Sequence, residues 1–334
     1  MDRKRWFSLA RVVVGIGALA FLLWQIGVGE TLSQLRQADL RLLLVAFILF
    51  LVSLVIRAGR WAALLWALDL QVPFPKLVYL YFVGAFFNSF LPSGFGGDVV
   101  RALELTEDTP PPAAVGTVLV DRMTGLLVLL AMGLVALPFS VDQLAPWLVW
   151  LLVAFAGGGL LGGALLLEGR LLRHITAWLP ERISLDGTGS LAQIYAAITG
   201  CGWRALGRAL GISLVFNVVN VVINYLCGRA VGIDLGLGYF FITAPLISMT
   251  LIVPISVGGV GIRDWVTVAL FSPAGVDSNT AAAMSLAIYG VSAAASLVGG
   301  ALYLGRSLLA MVRSSGAVPV STTTTPADSE DRPA

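Results

Sequence analysis

The 334 residues are 58% apolar and only 12% charged, with a mean hydropathy of +0.90 and a formal net charge of +2. Soluble domains carry about 25% charged residues, so a soluble globular enzyme is excluded and a polytopic helical membrane protein is indicated. One histidine, His174, gives no basis for a His-rich metal site or a Ser-His triad, and Cys201 and Cys227 stand in no metal or redox spacing.

In chain order, Met1 to Arg11 places four basic residues ahead of an apolar run, Val12–Val28, that lacks a small-residue cleavage site. It reads as an uncleaved first span. Apolar segments follow at 40–67, 77–92, 114–137, 145–167, 206–232, 237–254 and 279–311. Several reach the ~20 residues that a bilayer core requires. The longest polar stretch lies at 168–205, and its second half, Leu191–Trp203, reads as a surface helix. Residues 314–334 hold a Thr run, Pro and acidic residues, a composition expected to be disordered. The domain expectation is one membrane unit over 1–313, with halves at about 8–137 and 145–311, and a cytoplasmic tail over 314–334.

Two segments break the apolar pattern. Leu91-Pro-Ser-Gly-Phe-Gly-Gly-Asp-Val-Val-Arg101 and Val253-Pro-Ile-Ser-Val-Gly-Gly-Val-Gly-Ile-Arg263 share the spacing Pro, three residues, Gly-Gly, three residues, Arg. Pro92 aligns with Pro254, Gly96 and Gly97 with Gly258 and Gly259, and Arg101 with Arg263, always 162 residues apart. Four identities in register indicate an internal repeat.

Charge decides between topologies. If every apolar segment crosses, the 21 Lys and Arg divide almost evenly between the two sides. If 77–107 and 237–272 are instead re-entrant hairpins, only Arg36, Arg41, Arg229 and Arg263 fall outside. The positive-inside rule selects the second arrangement. The expected fold is therefore all-α, with about six full transmembrane helices, two re-entrant hairpins and an inverted repeat, as recurs in secondary transporters. Both termini would be cytoplasmic.

The hairpin sequences carry the candidate chemistry. Pro92 and Pro254 end helices, and the glycines that follow permit a sharp reversal. A short helix then starts near Asp98 or Ile262, presenting free amides at depth. Arg101 and Arg263 lie within one turn of those starts and can grip a phosphate bidentately. The competing reading makes these segments plain helix connections, with Asp98 and Asp264 as caps and Asp98 paired to Arg101. Arg57 and Arg60 either snorkel to the interface or act within the membrane. Asp121 and Arg122 sit two turns into their span, with Arg122 the stronger candidate. Asn217, Asn220 and Asn224 share one helix face, as a pathway lining or as interhelical glue. No nucleotide-binding G-x-x-x-x-G-K-[ST] occurs, and no paired-carboxylate transferase site lies outside the tail.

The first motif, then Val120-Asp-Arg-Met-Thr124, then Val253–Asp264 resemble the lysylphosphatidylglycerol synthase transmembrane-region family, over about residues 8–312. The family's usual second motif is Ser-Pro-Gly-Gly-x-Gly-x-Arg-Glu; here Val257 and Asp264 depart from it. Asp98 replaces a usual Glu, and Gly125 stands where an Asp often follows Arg122. The soluble aminoacyltransferase domain of the bifunctional members is not found here. The resemblance implies a flippase-like, non-enzymatic protein of a prokaryotic inner membrane that moves an anionic phospholipid or polyprenyl-phosphate-linked lipid. The substrate-binding residues would be Arg101, Arg263, Gly96, Gly97, Gly258, Gly259, Arg122, Asn217 and Asn220, with Pro92 and Pro254 shaping the hairpins. No cofactor, metal or nucleic-acid partner is expected. The rival expectation is a non-transporting scaffold for a separate glycosyltransferase or lipid synthase, and a membrane-embedded transferase is disfavoured.

Overall fold

In a computed structural model, the structure describes residues 38–89, 96–139, 146–168, 190–249 and 262–315. The expected first span at 8–28, the hairpin residues Pro92, Pro254, Gly258 and Gly259, and residues 316–334 lie outside them. The described residues are helical throughout, joined by turns, with no strand among them. We label the helices α1 (Leu40–Ala67), α2 (Phe74–Asn88), α3 (Gly96–Leu105), α4 (Pro111–Ala136), α5 (Pro146–Glu168), α6 (Ser190–Gly200), α7 (Gly202–Ala230), α8 (Leu237–Met249), α9 (Ile262–Phe271) and α10 (Ser278–Ser315).

Local sequence sets these boundaries. Asp39 caps α1, its carboxylate accepting from the Arg41 amide at 2.9 Å. Proline opens α2 and α4, where its missing amide costs nothing. Gly202, at φ 71°, breaks α6 from α7, so the expected helix at 191–203 ends at Gly200. Four helices, beginning at Leu40, Pro111, Gly202 and Ser278, are long and apolar enough to cross a bilayer. Helix α5 covers the expected span at 145–167, and Val153–Gly163 within it is apolar.

Helices α1 and α7 form the most extensive packing pair and run antiparallel. The Asp39 amide donates to Ala230 O at 2.9 Å at one end, while Leu64 and Leu68 meet Cys201, Ala205 and Leu206 at the other. Helices α2 and α3 fold back on one another: Lys76, near the start of α2, is ion-paired with Asp108, just past α3. That pair opens at the α1 C-terminal end. Helices α8 and α9 fold back likewise, Tyr239 and Phe240 stacking on Phe271 at 5.3 and 5.4 Å, but open at the opposite end, beside the start of α10. Helix α7 begins 162 residues after α1, and α8 begins 163 after α2. The packing repeats too, because α2 lies on α10 while α8 lies on α4.

Glycine permits the closest approaches. A Cβ on Gly97 would sit 1.9 Å from Gly84 O, and one on Gly299 would sit 2.0 Å from Phe82 O. Backbone therefore touches backbone where α2 meets α3 and where α2 meets α10. The core continues from these contacts through Trp61, Leu65, Leu77 and Leu80 at one end and Phe240, Phe271 and Met284 at the other.

Candidate functional site

The first charged cluster lies where α1, α2, α3, α4 and α7 converge. Asp121, in α4, is 1% exposed and is its centre. Arg60 Nε donates to Asp121 Oδ1 at 2.7 Å, and Arg60 Nη1 donates to Ser213 Oγ at 2.9 Å. The Tyr81 hydroxyl donates to Asp121 Oδ2, and both terminal nitrogens of Arg101 approach the same oxygen at 3.3 Å. Arg101 also donates to Asp98 Oδ1 at 2.8 Å, and Arg122 pairs with the other Asp98 oxygen. The Arg101 guanidinium stacks on Tyr81 at 4.1 Å and on Trp61 at 4.9 Å. Each arginine–aromatic contact of this kind is worth about 0.5–2 kcal/mol, more where water is excluded.

Helix geometry explains the convergence. Arg57 and Arg60 lie three residues apart on one face of α1. Asp98 and Arg101 repeat that spacing on α3. Arg60 is buried and ion-paired rather than snorkelling. Asp121 is the interior member of the Asp121–Arg122 pair, and Arg122 stands at the rim with its side chain 31% exposed. Gly125, where the family often has a carboxylate, lies against Arg60: a Cβ there would be 2.5 Å from Nη1. The space is filled by a guanidinium, and Arg122 finds its carboxylate on α3 instead.

The second cluster is smaller. Arg263, 4% exposed, donates from Nε to Ser285 Oγ at 3.1 Å and stacks on Tyr289 at 5.4 Å. The Ser285 hydroxyl donates in turn to Asp264. The Tyr289 hydroxyl is buried without a hydrogen-bond partner among the described residues. Thus Arg101 is held by two carboxylates and Arg263 by a hydroxyl.

The asparagine stripe divides. Asn217 donates to its own helix at Ser213 O (2.8 Å), whereas Asn220 crosses to Ser248 Oγ on α8 at 3.1 Å. Gly96 opens α3, and the Gly97 amide donates to Asn88 Oδ1 at 2.7 Å, closing the turn from α2. Arg101, Gly97 and Arg122 thus belong to one neighbourhood with Arg60, Tyr81 and Asp121. Tyr81, Trp61 and Ser213 went unseen in the sequence because each reads there as an ordinary residue of an apolar run. Among the described residues no three His, Cys, Asp or Glu side chains are grouped to hold a metal.

Helices long and apolar enough to cross a bilayer, two folded-back pairs that open at opposite ends of the bundle, and buried arginines beside each pair define a polytopic membrane protein with charged sites inside its helix bundle. The sequence pattern of the lysylphosphatidylglycerol synthase TM region matches residues 8–300, and the chain belongs to that family. It is 23% identical to a UPF0104 membrane protein of Pyrococcus horikoshii, over 82% of this chain and 90% of that one. It is 28% identical to a UPF0104 membrane protein of Methanothermobacter thermautotrophicus, over 82% and 88%. It is 25% identical to the glycosyltransferase AglD of Haloferax volcanii, over 94% of this chain but 57% of that protein.

Proposed function

We propose that this chain moves a lipid bearing a phosphate head group, an anionic phospholipid or a polyprenyl-phosphate-linked lipid, between the leaflets of a prokaryotic inner membrane. The observation that carries the reading is the buried guanidinium cluster beside α2 and α3. Charged side chains at membrane depth are costly, and they face partners or a pathway. On this reading α2–α3 and α8–α9 are re-entrant hairpins of an inverted repeat with halves at about 8–137 and 145–311, one opening to each side. Six helices cross, with both termini cytoplasmic. Arg101 and Arg263 stand beside the half-helix starts, where a head group meets amide dipoles and guanidinium together. Similarity to a glycosyltransferase across most of this chain supports keeping lipid-linked sugars among the substrates.

The test is reconstitution into liposomes with a panel of labelled lipids: phosphatidylglycerol, phosphatidylethanolamine, a polyprenyl monophosphate and a polyprenyl diphosphate sugar. Protein-dependent exposure of at least one phosphate-bearing lipid is expected. Equal rates with protein-free vesicles across the panel would refute translocation.

A further inference from the structure

Arg57 is the charged residue of the first cluster that the ion pairs leave out. It lies within electrostatic reach of Arg60, Arg101, Tyr81 and Asp121. Its guanidinium is held by two rings, Tyr81 at 5.2 Å from α2 and Phe216 at 5.1 Å from α7. Arg57 is half-buried, and its Nε is buried with no hydrogen-bond partner among the described residues. Both carboxylates of the cluster are committed elsewhere: Asp121 to Arg60, Arg101 and Tyr81, and Asp98 to Arg101 and Arg122. Four guanidiniums therefore stand against two carboxylates, a surplus of two positive charges among the described residues.

Holding a half-buried arginine without a carboxylate in an apolar helix is costly, and its two ring contacts and the nearby Asp121 charge offset that cost only in part. Stacking on two rings fixes the guanidinium plane while leaving its N–H edge for an acceptor. A phosphodiester brings one negative charge. A phosphomonoester brings nearly two at neutral pH, and a diphosphate brings at least as many.

We infer that Arg57 is the residue that grips the substrate's phosphoryl group, and that the cluster around it selects a doubly charged phosphoryl, a monoester or diphosphate, over a phosphodiester. Arg60, held by Asp121 and Ser213, stays a structural member of the cluster, and Arg57 adds to the head-group contact proposed for Arg101 a guanidinium that no carboxylate pairs among the described residues. The inference rests on the translocation reading for its lipid, though not for its anion.

The experiment is binding to the detergent-solubilised full chain, with farnesyl diphosphate, farnesyl phosphate, dioctanoyl phosphatidylglycerol and inorganic pyrophosphate as probes. The wild type is expected to bind the first two at least tenfold more tightly than the phosphodiester. Arg57→Gln should weaken farnesyl diphosphate binding at least tenfold, and Arg57→Lys should recover part of it. The ligand-free Arg57→Gln protein should melt within a few degrees of wild type, since it loses two ring contacts together with a charge that no carboxylate pairs among the described residues. Unchanged farnesyl diphosphate affinity in Arg57→Gln, or equal affinity for the phosphodiester, would each overturn the inference. Inorganic pyrophosphate binding as tightly as farnesyl diphosphate would keep the anion site and assign it to a free diphosphate. If liposomes show no translocation while Arg57-dependent binding persists, the transport reading falls and this one stands.

Discussion

Replacing Asp121 with Asn keeps the side chain's shape and one carbonyl acceptor but removes the charge that Arg60 and Arg101 share. Both arginines are almost wholly buried, with Arg60 Nε 2.7 Å from the carboxylate. Arg101 retains Asp98 at 2.8 Å, but Arg60 is left with neutral acceptors only, the Ser213 hydroxyl and the introduced amide carbonyl. Removing one partner of a buried pair costs about 3–5 kcal/mol, because the remaining charge stays buried without compensation. At about 2–4 °C per kcal/mol, the detergent melting temperature should fall by roughly 6–20 °C. The double variant Arg60→Met with Asp121→Leu should melt well above the sum of its singles, since removing both charges also removes the desolvation penalty. Melting curves followed by tryptophan fluorescence test this, with yield from the membrane as a second readout. An Asp121→Asn protein melting within about 2 °C of wild type would show that Asp121 does not hold these arginines.

Three further outcomes are expected. Gly97→Ala would force a methyl against Gly84 O and should separate α2 from α3, costing about 1–3 kcal/mol as overpacking and lowering yield; an unchanged melting temperature refutes the close backbone contact. Glu107→Cys should resist a membrane-impermeant maleimide in intact cells while Asp234→Cys, 91% exposed in its side chain, reacts; the reverse pattern refutes the six-span topology. Arg263→Ala should slow translocation about 10- to 150-fold, the value of one charge-assisted contact of about 1.5–3 kcal/mol, with Arg263→Lys recovering part; wild-type flipping by a destabilised Arg263→Ala protein removes its head-group role.

The crossing helices were legible because apolar length alone specifies them. The segments at 40–67, 114–137, 206–232 and 279–311 match α1, α4, α7 and α10 to within a few residues at most ends. The short apolar run at 77–92, followed by Pro and paired glycines, marked α2 and the restart at α3. What pairs with what was not legible. Asp121 and Arg60 are 61 positions apart, and their contact depends on how α4 turns against α1. Arg60 looked like an interfacial residue because it lies near the end of its span. Tyr81 looked like packing because a hydroxyl carries no signal in an apolar run. A count of intramembrane charges would have narrowed the problem: Asp121 is the sole acidic residue within 114–137, so buried arginines nearby had few partners to choose from.

The seam between α2 and α10 carries a mechanical consequence. Phe82 and Gly299 touch backbone to backbone, so the first folded-back pair is clamped to the last long helix of the chain. On the other side, α8 rests against α4. The halves of the sequence are thus cross-laced, and each hairpin is braced by a helix belonging to the other half. Tilting one half outward must drag the opposite hairpin with it. On the translocation reading, an opening at one face is geared through these two seams to the folded-back pair at the other.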